Sequence, residues 1–300
     1  MDIGPLGPLE PGYPVARFTA AAQALLASPG STDYSDGVSL ALAEHALAAY
    51  LPAAEHRSAI AEQGWEGGVV SDGCAQVAIV VAPEFVVLAC RGSSERGDWL
   101  TNGQLCLTEW RDVLPRGVEI HRGFRGQAER MRDELGVLLR AVVGPGAAAR
   151  RSGYQVPVWI TGHSLGGALA SLLAPLLTVE AALVPSGVYT YSSPRVGKAP
   201  WLNHYTKSWG RSSHRVVPVD RGVTDLVTRV PLSAWGWRHV GRTTVIRDGY
   251  RVGGDEAWSK LRAADPVKPL QQWRIISRLR TGVASHSCAR LVEHLRRVQT

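Results

Sequence analysis

Apolar positions fall into short runs, and the spacing within each run predicts its element. Gln76 to Val81 and Phe85 to Cys90 are compact apolar stretches joined across Ala82-Pro83-Glu84, a pattern of two strands and a turn. Val156 to Ile160, Gly187 to Tyr191 and Arg215 to Val219 read as further strands. A late hairpin is predicted from Thr244–Ile246 and Tyr250–Val252 across Arg247-Asp248-Gly249. Helical stretches separate them. Ala16–Leu26 and Val38–Leu51 are alanine-rich and divided by Pro-Gly-Ser-Thr. A helix after Phe124 runs to about Val143 with partly regular apolar spacing through Met131, Leu135, Leu138 and Leu139. Ala168–Leu173 and Ala289–Val298 complete the set. Strands alternating with helices predict an α/β fold, a mostly parallel central sheet with helices on both faces. No internal repeat or low-complexity linker interrupts the pattern. Residues 1–300 therefore read as one domain, with the Pro- and Gly-rich residues 1–14 as an irregular N-terminal arm.

One stretch adds chemistry to this pattern. Between the strand at Val156–Ile160 and the helix at Ala168 lies Thr161-Gly162-His163-Ser164-Leu165-Gly166-Gly167. This is G-x-S-x-G in its strand–turn–helix context, the arrangement of a nucleophile elbow. Gly162 and Gly166 allow strand and helix to approach closely. The turn lifts the Ser164 hydroxyl above the sheet, and the helix start aims its N–H groups at any negative charge forming there. Acyl transfer needs two donors on a developing oxyanion. The Leu165 N–H is one candidate. Ser93, in the polar loop Arg91-Gly92-Ser93-Ser94 after the second strand, is the other. Residues 103–117 mix apolar and polar groups, including Trp110 and Leu114, and fit either a mobile flap near Trp99 and Trp110 or a loop folded onto the core.

Composition narrows the alternatives. The chain has 300 residues, 45% of them hydrophobic, enough for a sizeable core. The net charge is +7, carried mostly by arginine. We read it as a solvated basic surface, since no zinc-finger spacing or RNA-binding aromatic signature accompanies it. Nucleic acid is not an expected partner. No stretch approaches the length of a membrane span. Cys74, Cys90, Cys106 and Cys288 are widely spaced and read as free thiols. Met1-Asp2-Ile3-Gly4-Pro5 shows no early positive charge and no apolar run of the secretory type, which predicts a cytoplasmic location. There is no H-E-x-x-H pair, P-loop lysine or G-x-G-x-x-G after a strand, so neither a metal nor an organic cofactor is expected.

A serine hydroxyl needs a base, and the base needs an acid to hold its tautomer. In α/β hydrolases the chain order is serine, acid, histidine. His204 and His214 come too early, and His294 lies inside the last helix. His286, flanked by Ser285 and Ser287, is preferred over His239 on order and loop placement. Asp220 closes a strand and Asp225 follows five residues later; position alone leaves both open as the acid.

Four separated stretches together resemble the class 3, fungal-type lipases of the α/β-hydrolase fold. They are Arg91-Gly92-Ser93 with Asp98-Trp99-Leu100-Thr101, His121-Arg122-Gly123-Phe124, the Ser164 stretch, and Thr190-Tyr191-Ser192-Ser193-Pro194-Arg195-Val196-Gly197. The resemblance selects Asp225, because Asp225-Leu226-Val227-Thr228-Arg229-Val230-Pro231 fits the family's D-x-V-x-R-[LV]-P pattern. It assigns Gly236-Trp237-Arg238-His239-Val240-Gly241 to a structural turn and Ser285-His286-Ser287 to the base motif. It implies hydrolysis of lipid carboxylic esters, acylglycerols foremost, by Ser164, Asp225 and His286, with Ser93 and Leu165 as the oxyanion hole. Transient contact with a lipid interface is implied as well. A phospholipase A1 or a short-chain carboxylesterase would carry the same triad, and an inactive lipid-binding protein is the reading of another class.

Overall fold

The computed structural model describes residues 18–27, 31–72, 75–91, 106–143, 150–151, 154–220, 223–264 and 287–298. Its helices are α1 (Ala20–Ala24), α2 (Asp36–Ala48), α3 (Ala53–Ala61), α4 (Arg122–Val143), α5 (Leu165–Ala181), α6 (Ala199–Trp209), α7 (Asp255–Ala264) and α8 (Cys288–Val298). The strands begin with β1 (Glu66–Ser71), β2 (Gln76–Val81), β3 (Val86–Arg91), β4 (Leu107–Glu109) and β5 (Glu119–His121). Two short strands, β6 (Arg150–Arg151) and β7 (Tyr154–Gln155), pair with each other and precede β8 (Val158–His163) and β9 (Gly187–Tyr191). β10 (Ser213–Asp220), β11 (Val223–Thr224), β12 (Arg242–Arg247) and β13 (Tyr250–Gly253) follow.

The main sheet has the order β1-β2-β3-β8-β9-β10-β12-β13, with β11 paired to β10. β3, β8, β9, β10 and β12 run parallel. The edges are antiparallel, through β1–β2–β3 on one side and β12–β13 on the other. The continuous apolar runs reflect burial of both faces. Along β2 and β3, Val77, Ile79, Val86, Leu88 and Cys90 point into one core, under α4 and α5. Ala78, Val80, Val87 and Ala89 point into the other, with α1, α2 and α8. β8 divides the same way, Val158 and Ile160 against Trp159.

Several elements differ from the sequence expectation. α2 starts before Val38 because the Ser35 side chain caps it by accepting from the Val38 N–H. α1 is shorter than the apolar run it sits in. α3 and β1 carry weak sequence signals, and β1 holds two adjacent glycines, Gly67 and Gly68. Of the segment read as flap or loop, residues 106–117 are folded onto the core. β4 pairs with β5, and Trp110 and Leu114 are buried beneath it. Trp110 thus anchors the core, which selects the folded loop of the two readings at these residues. Trp99, the rest of that segment, Cys74 and the proposed N-terminal arm lie outside the described residues. Cys90 and Cys288 are buried free thiols and Cys106 an exposed one.

Three buried histidines couple the fold to pH. His45 bonds Gln23 Oε1 at 2.8 Å, His121 accepts from the Gly123 N–H at 3.1 Å, and His214 reaches the Thr32 carbonyl at 3.0 Å. Burial disfavours the imidazolium and lowers them to about 3, about 4 and about 4 from an ordinary 6.5. The unfolded chain therefore binds protons from pH 6.5 downward that the folded chain refuses, and stability falls with pH across that window. For His121 the full effect, complete below about pH 4, is about 3 kcal/mol. Urea unfolding of wild type and His121→Gln between pH 7 and pH 4 checks this. The variant should lose less stability over the range, and parallel curves would refute the assignment.

Candidate active site

Ser164 sits in the turn between β8 and α5, half-buried, with φ 59° and ψ −129°. A positive φ is strained for a residue with a side chain, on the order of 1–3 kcal/mol, and persists only where neighbours enforce it. Here the Ser164 N–H donates to the Tyr191 carbonyl on β9, and its own carbonyl accepts from the Gly167 N–H, both at 2.9 Å. The glycines allow that geometry. A Cβ on Gly162 would lie 2.2 Å from the Gly166 carbonyl oxygen, and one on Gly167 would lie 2.8 Å from Ser193 Cβ. Leu165 is the first residue of α5, so its N–H has no acceptor within the helix and faces the turn.

His163, just before the nucleophile, is buried and meets the Tyr50 hydroxyl at Nδ1, 3.1 Å away. Tyr50 also donates to the His163 carbonyl at 3.4 Å, which ties the elbow to the turn after α2. The Arg91 guanidinium lies over the Tyr50 ring at 5.9 Å. His163 is thus a structural part of the elbow, as its position beside the nucleophile suggests.

Asp225 reaches the same edge of the sheet by a detour. β10 continues past the level of the serine and turns, and β11 returns against it with Asp220 opposite Val223 and Val219 opposite Thr224. His163, Tyr191 and Val216 form one row across β8, β9 and β10. The hairpin brings Asp225 back to about the level of Pro218, two residues beyond that row, whereas Asp220 stays on the outgoing arm. β8 and β10 are two strands apart, roughly 10 Å, which leaves room for an imidazole between their ends. The extra residues before Asp225 are this hairpin.

The loop after Asp225 is held by backbone and side-chain hydrogen bonds. Asp225 is fully buried and its Oδ1 accepts from the Val227 N–H at 2.9 Å, capping the 3-10 turn Leu226–Arg229. Thr228 Oγ1 donates to the Asp225 carbonyl at 2.5 Å. The loop ends in a cis Val230–Pro231 peptide. A cavity of about 740 Å³ opens behind it, lined by Arg195, Arg215, Trp237, His239 and Trp258 and not by Ser164.

Other candidates settle into packing roles. His204 stacks edge-on against Trp209 on α6, and His294 is buried in α8. His239 bonds the Thr228 carbonyl at 2.7 Å, consistent with a structural turn. His121 packs on Phe124 and Trp237 at ring separations of 4.5 and 5.8 Å. Ser93 and His286, the proposed oxyanion donor and base, lie outside the described residues. Arg195 has no role in the sequence reading, yet it is buried beside the acid loop. Its sequence signal is its place in the Thr190–Gly197 stretch that resembles the class 3 lipases, where the resemblance attaches no role to it. Among the described residues, no group of three or more His, Cys, Asp or Glu could hold a metal ion.

Residues 87–235, spanning β3 to the turn beyond the acid loop, match the family model "Lipase (class 3)". The chain belongs to the class 3 lipase family. It is 31% identical over 226 residues to a protein of Fusarium solani named secreted mono- and diacylglycerol lipase 1, covering 74% of this chain and 62% of that one. It is 29% identical over 192 residues to secreted mono- and diacylglycerol lipase A of Penicillium cyclopium, covering 63% and 57%. The chain thus spans about three fifths of the length of these relatives. Its fold is that of the fungal lipases. The mono- and diacylglycerol lipase of Aspergillus oryzae superposes with a TM-score of 0.57 at 22% identity, covering 71% of this chain and 80% of that one. The lipase of Rhizopus microsporus var. chinensis gives 0.56 at 22%, covering 79% and 81%. The relatives' names overturn the cytoplasmic expectation, because both are called secreted. That expectation rested on the first few residues, which lie outside the matched body of the chain. Among the described residues, no helix is long and apolar enough to cross a membrane.

Proposed function

We propose that the chain is a serine hydrolase of lipid carboxylic esters, with mono- and diacylglycerols as the substrate class. The observation that carries this is the strained Ser164 on its β8–α5 turn, with a fully buried Asp225 returned to the same sheet edge. The acylglycerol preference rests on the relatives' names, as does action outside the cell. Ser164 Oγ attacks the ester carbonyl while His286 takes its proton. Asp225 orients the imidazole and stabilises its charged form. The Leu165 N–H and Ser93 hold the tetrahedral oxyanion, and α5 directs its positive end at it. His286 then protonates the leaving alkoxide. Water, activated by the same base, releases the carboxylic acid and restores the serine. No step calls for a metal or an organic cofactor, and one catalytic domain contains all the groups named.

Hydrolysis rate against acyl chain length, below and above the solubility limit of the ester, tests the substrate class. A rise in rate when the ester forms an interface is expected. A smooth decline with chain length would instead make the protein a short-chain carboxylesterase. Preferential release of one acyl chain from a phospholipid would make it a phospholipase A1, and no turnover of any ester would leave a lipid-binding protein.

A further inference from the structure

Two residues outside the proposed triad converge on the loop that follows Asp225. Arg195 follows β9, and its side chain and backbone serve three consecutive residues of that loop. Nη1 donates to the carbonyls of Arg229 and Pro231, the latter at 2.6 Å, and the Arg195 N–H donates to the Val230 carbonyl at 2.9 Å. His239 approaches from the other side, with Nε2 2.7 Å from the Thr228 carbonyl. A carbonyl only accepts, so Nε2 carries the proton. The two supports are joined to each other. The Arg238 N–H donates to the Gly197 carbonyl at 2.9 Å, and Gly197 bridges Ile120 on its other side. Arg195 is 2% exposed and Thr228 0%, so the arginine's bonds are made out of water, where each fixes a geometry rather than exchanging with solvent, while the half-buried His239 reaches its carbonyl from the edge of the cavity.

We propose that Arg195 and His239 are positioning residues for the reaction, a two-sided clamp that sets the direction of the Asp225 carboxylate through the loop's carbonyls. This rests on Asp225 being the acid. Asp225 is held by its own turn, through Val227 and Thr228. The clamp fixes that turn against β9 and the segment after Pro231. Release of either side lets the turn rock as a unit. The carboxylate then swings away from the imidazole it orients, while the Ser164 turn, held by its own bonds to Tyr191 and Gly167, is left in place. The planar fork of arginine suits two neighbouring carbonyls in a way a single ammonium does not.

The test measures kcat and KM for a soluble ester in Arg195→Met, His239→Phe and His239→Gln. Each kcat is normalised to serines counted by end-point fluorophosphonate labelling. Arg195→Met should lower kcat per labelled serine about a hundredfold, the scale of an ångström-sized misplacement, with KM unchanged within about twofold. His239→Phe should also lower it, and His239→Gln, which keeps a donor, should restore most of the loss. In an Asp225→Asn background, Arg195→Met should cost little more, because the group it positions is already gone. The clamp is overturned if the variants yield fewer labelled serines but full kcat for each, or if the losses multiply independently in the double variant. Wild-type kcat in Asp225→Asn alone would instead remove the acid assignment, a separate failure.

Discussion

Ser164→Ala is expected to reduce kcat for ester hydrolysis by about 10⁶-fold, the scale seen when a triad nucleophile is removed. The loss is that large because the serine does not act alone. Without its oxygen, neither the base nor the acid has a proton to move, and only the oxyanion donors and substrate binding remain. Folding should survive, since the backbone at Ser164 is held by bonds from Tyr191 and Gly167 that do not involve the hydroxyl. Ser164→Gly separates the two consequences further. Glycine occupies φ 59° without the steric conflict a Cβ brings, so this variant should be equally inactive but more thermostable than Ser164→Ala. A melting curve and a progress curve on each protein check both statements. Retained activity in either variant would place the chemistry elsewhere.

Asp225→Asn should cost about 10⁴-fold in kcat, the scale of replacing a triad aspartate by its amide. The amide is nearly the same shape, and its oxygen can still accept from the Val227 N–H that Asp225 Oδ1 now receives. The 3-10 turn should therefore stay capped. What changes is the partner offered to the imidazole. An amide presents a donor as readily as an acceptor, which allows the wrong tautomer, and it carries no charge to stabilise the imidazolium. KM should be nearly unaffected, because the buried carboxylate does not meet the substrate. Asp220→Asn, by contrast, should leave kcat near wild type, since Asp220 sits on the outgoing arm of the hairpin that Asp225 follows. Steady-state kinetics on the pair of variants decide between the two aspartates.

The strands around the nucleophile were legible because burial on both faces leaves a distinctive mark. Gln76–Val81 is read residue for residue, and Ser164 is flanked by glycines that only a close strand–helix turn requires. The edge strand β1 left no such mark, being half-exposed and interrupted by Gly67 and Gly68. Trp110 leaves flap and folded loop both open in the sequence, because an apolar side chain in a loop looks the same whether it folds over a site or into a core. Spacing leaves Asp220 and Asp225 both open as the proposed acid because the sequence does not show that β10 turns back on itself after Asp220. Only pairing with β11 accounts for the added residues. The clamp was missed for another reason. Arg195 and His239 both lie in stretches that resemble the family, but they act on backbone carbonyls, which every residue possesses, so those motifs do not show what the side chains hold. The location was misjudged because leading residues say little about the folded body on which relatives are compared.

The proposed function stands on Ser164 being a covalent nucleophile. Peptide mapping by mass spectrometry after brief exposure to a lipid-like fluorophosphonate addresses it most directly. One adduct per chain is expected, on the peptide containing Ser164, formed far more slowly in Asp225→Asn and absent from Ser164→Ala. A stoichiometric adduct on another residue, or none on folded wild-type protein that still hydrolyses esters, would contradict it.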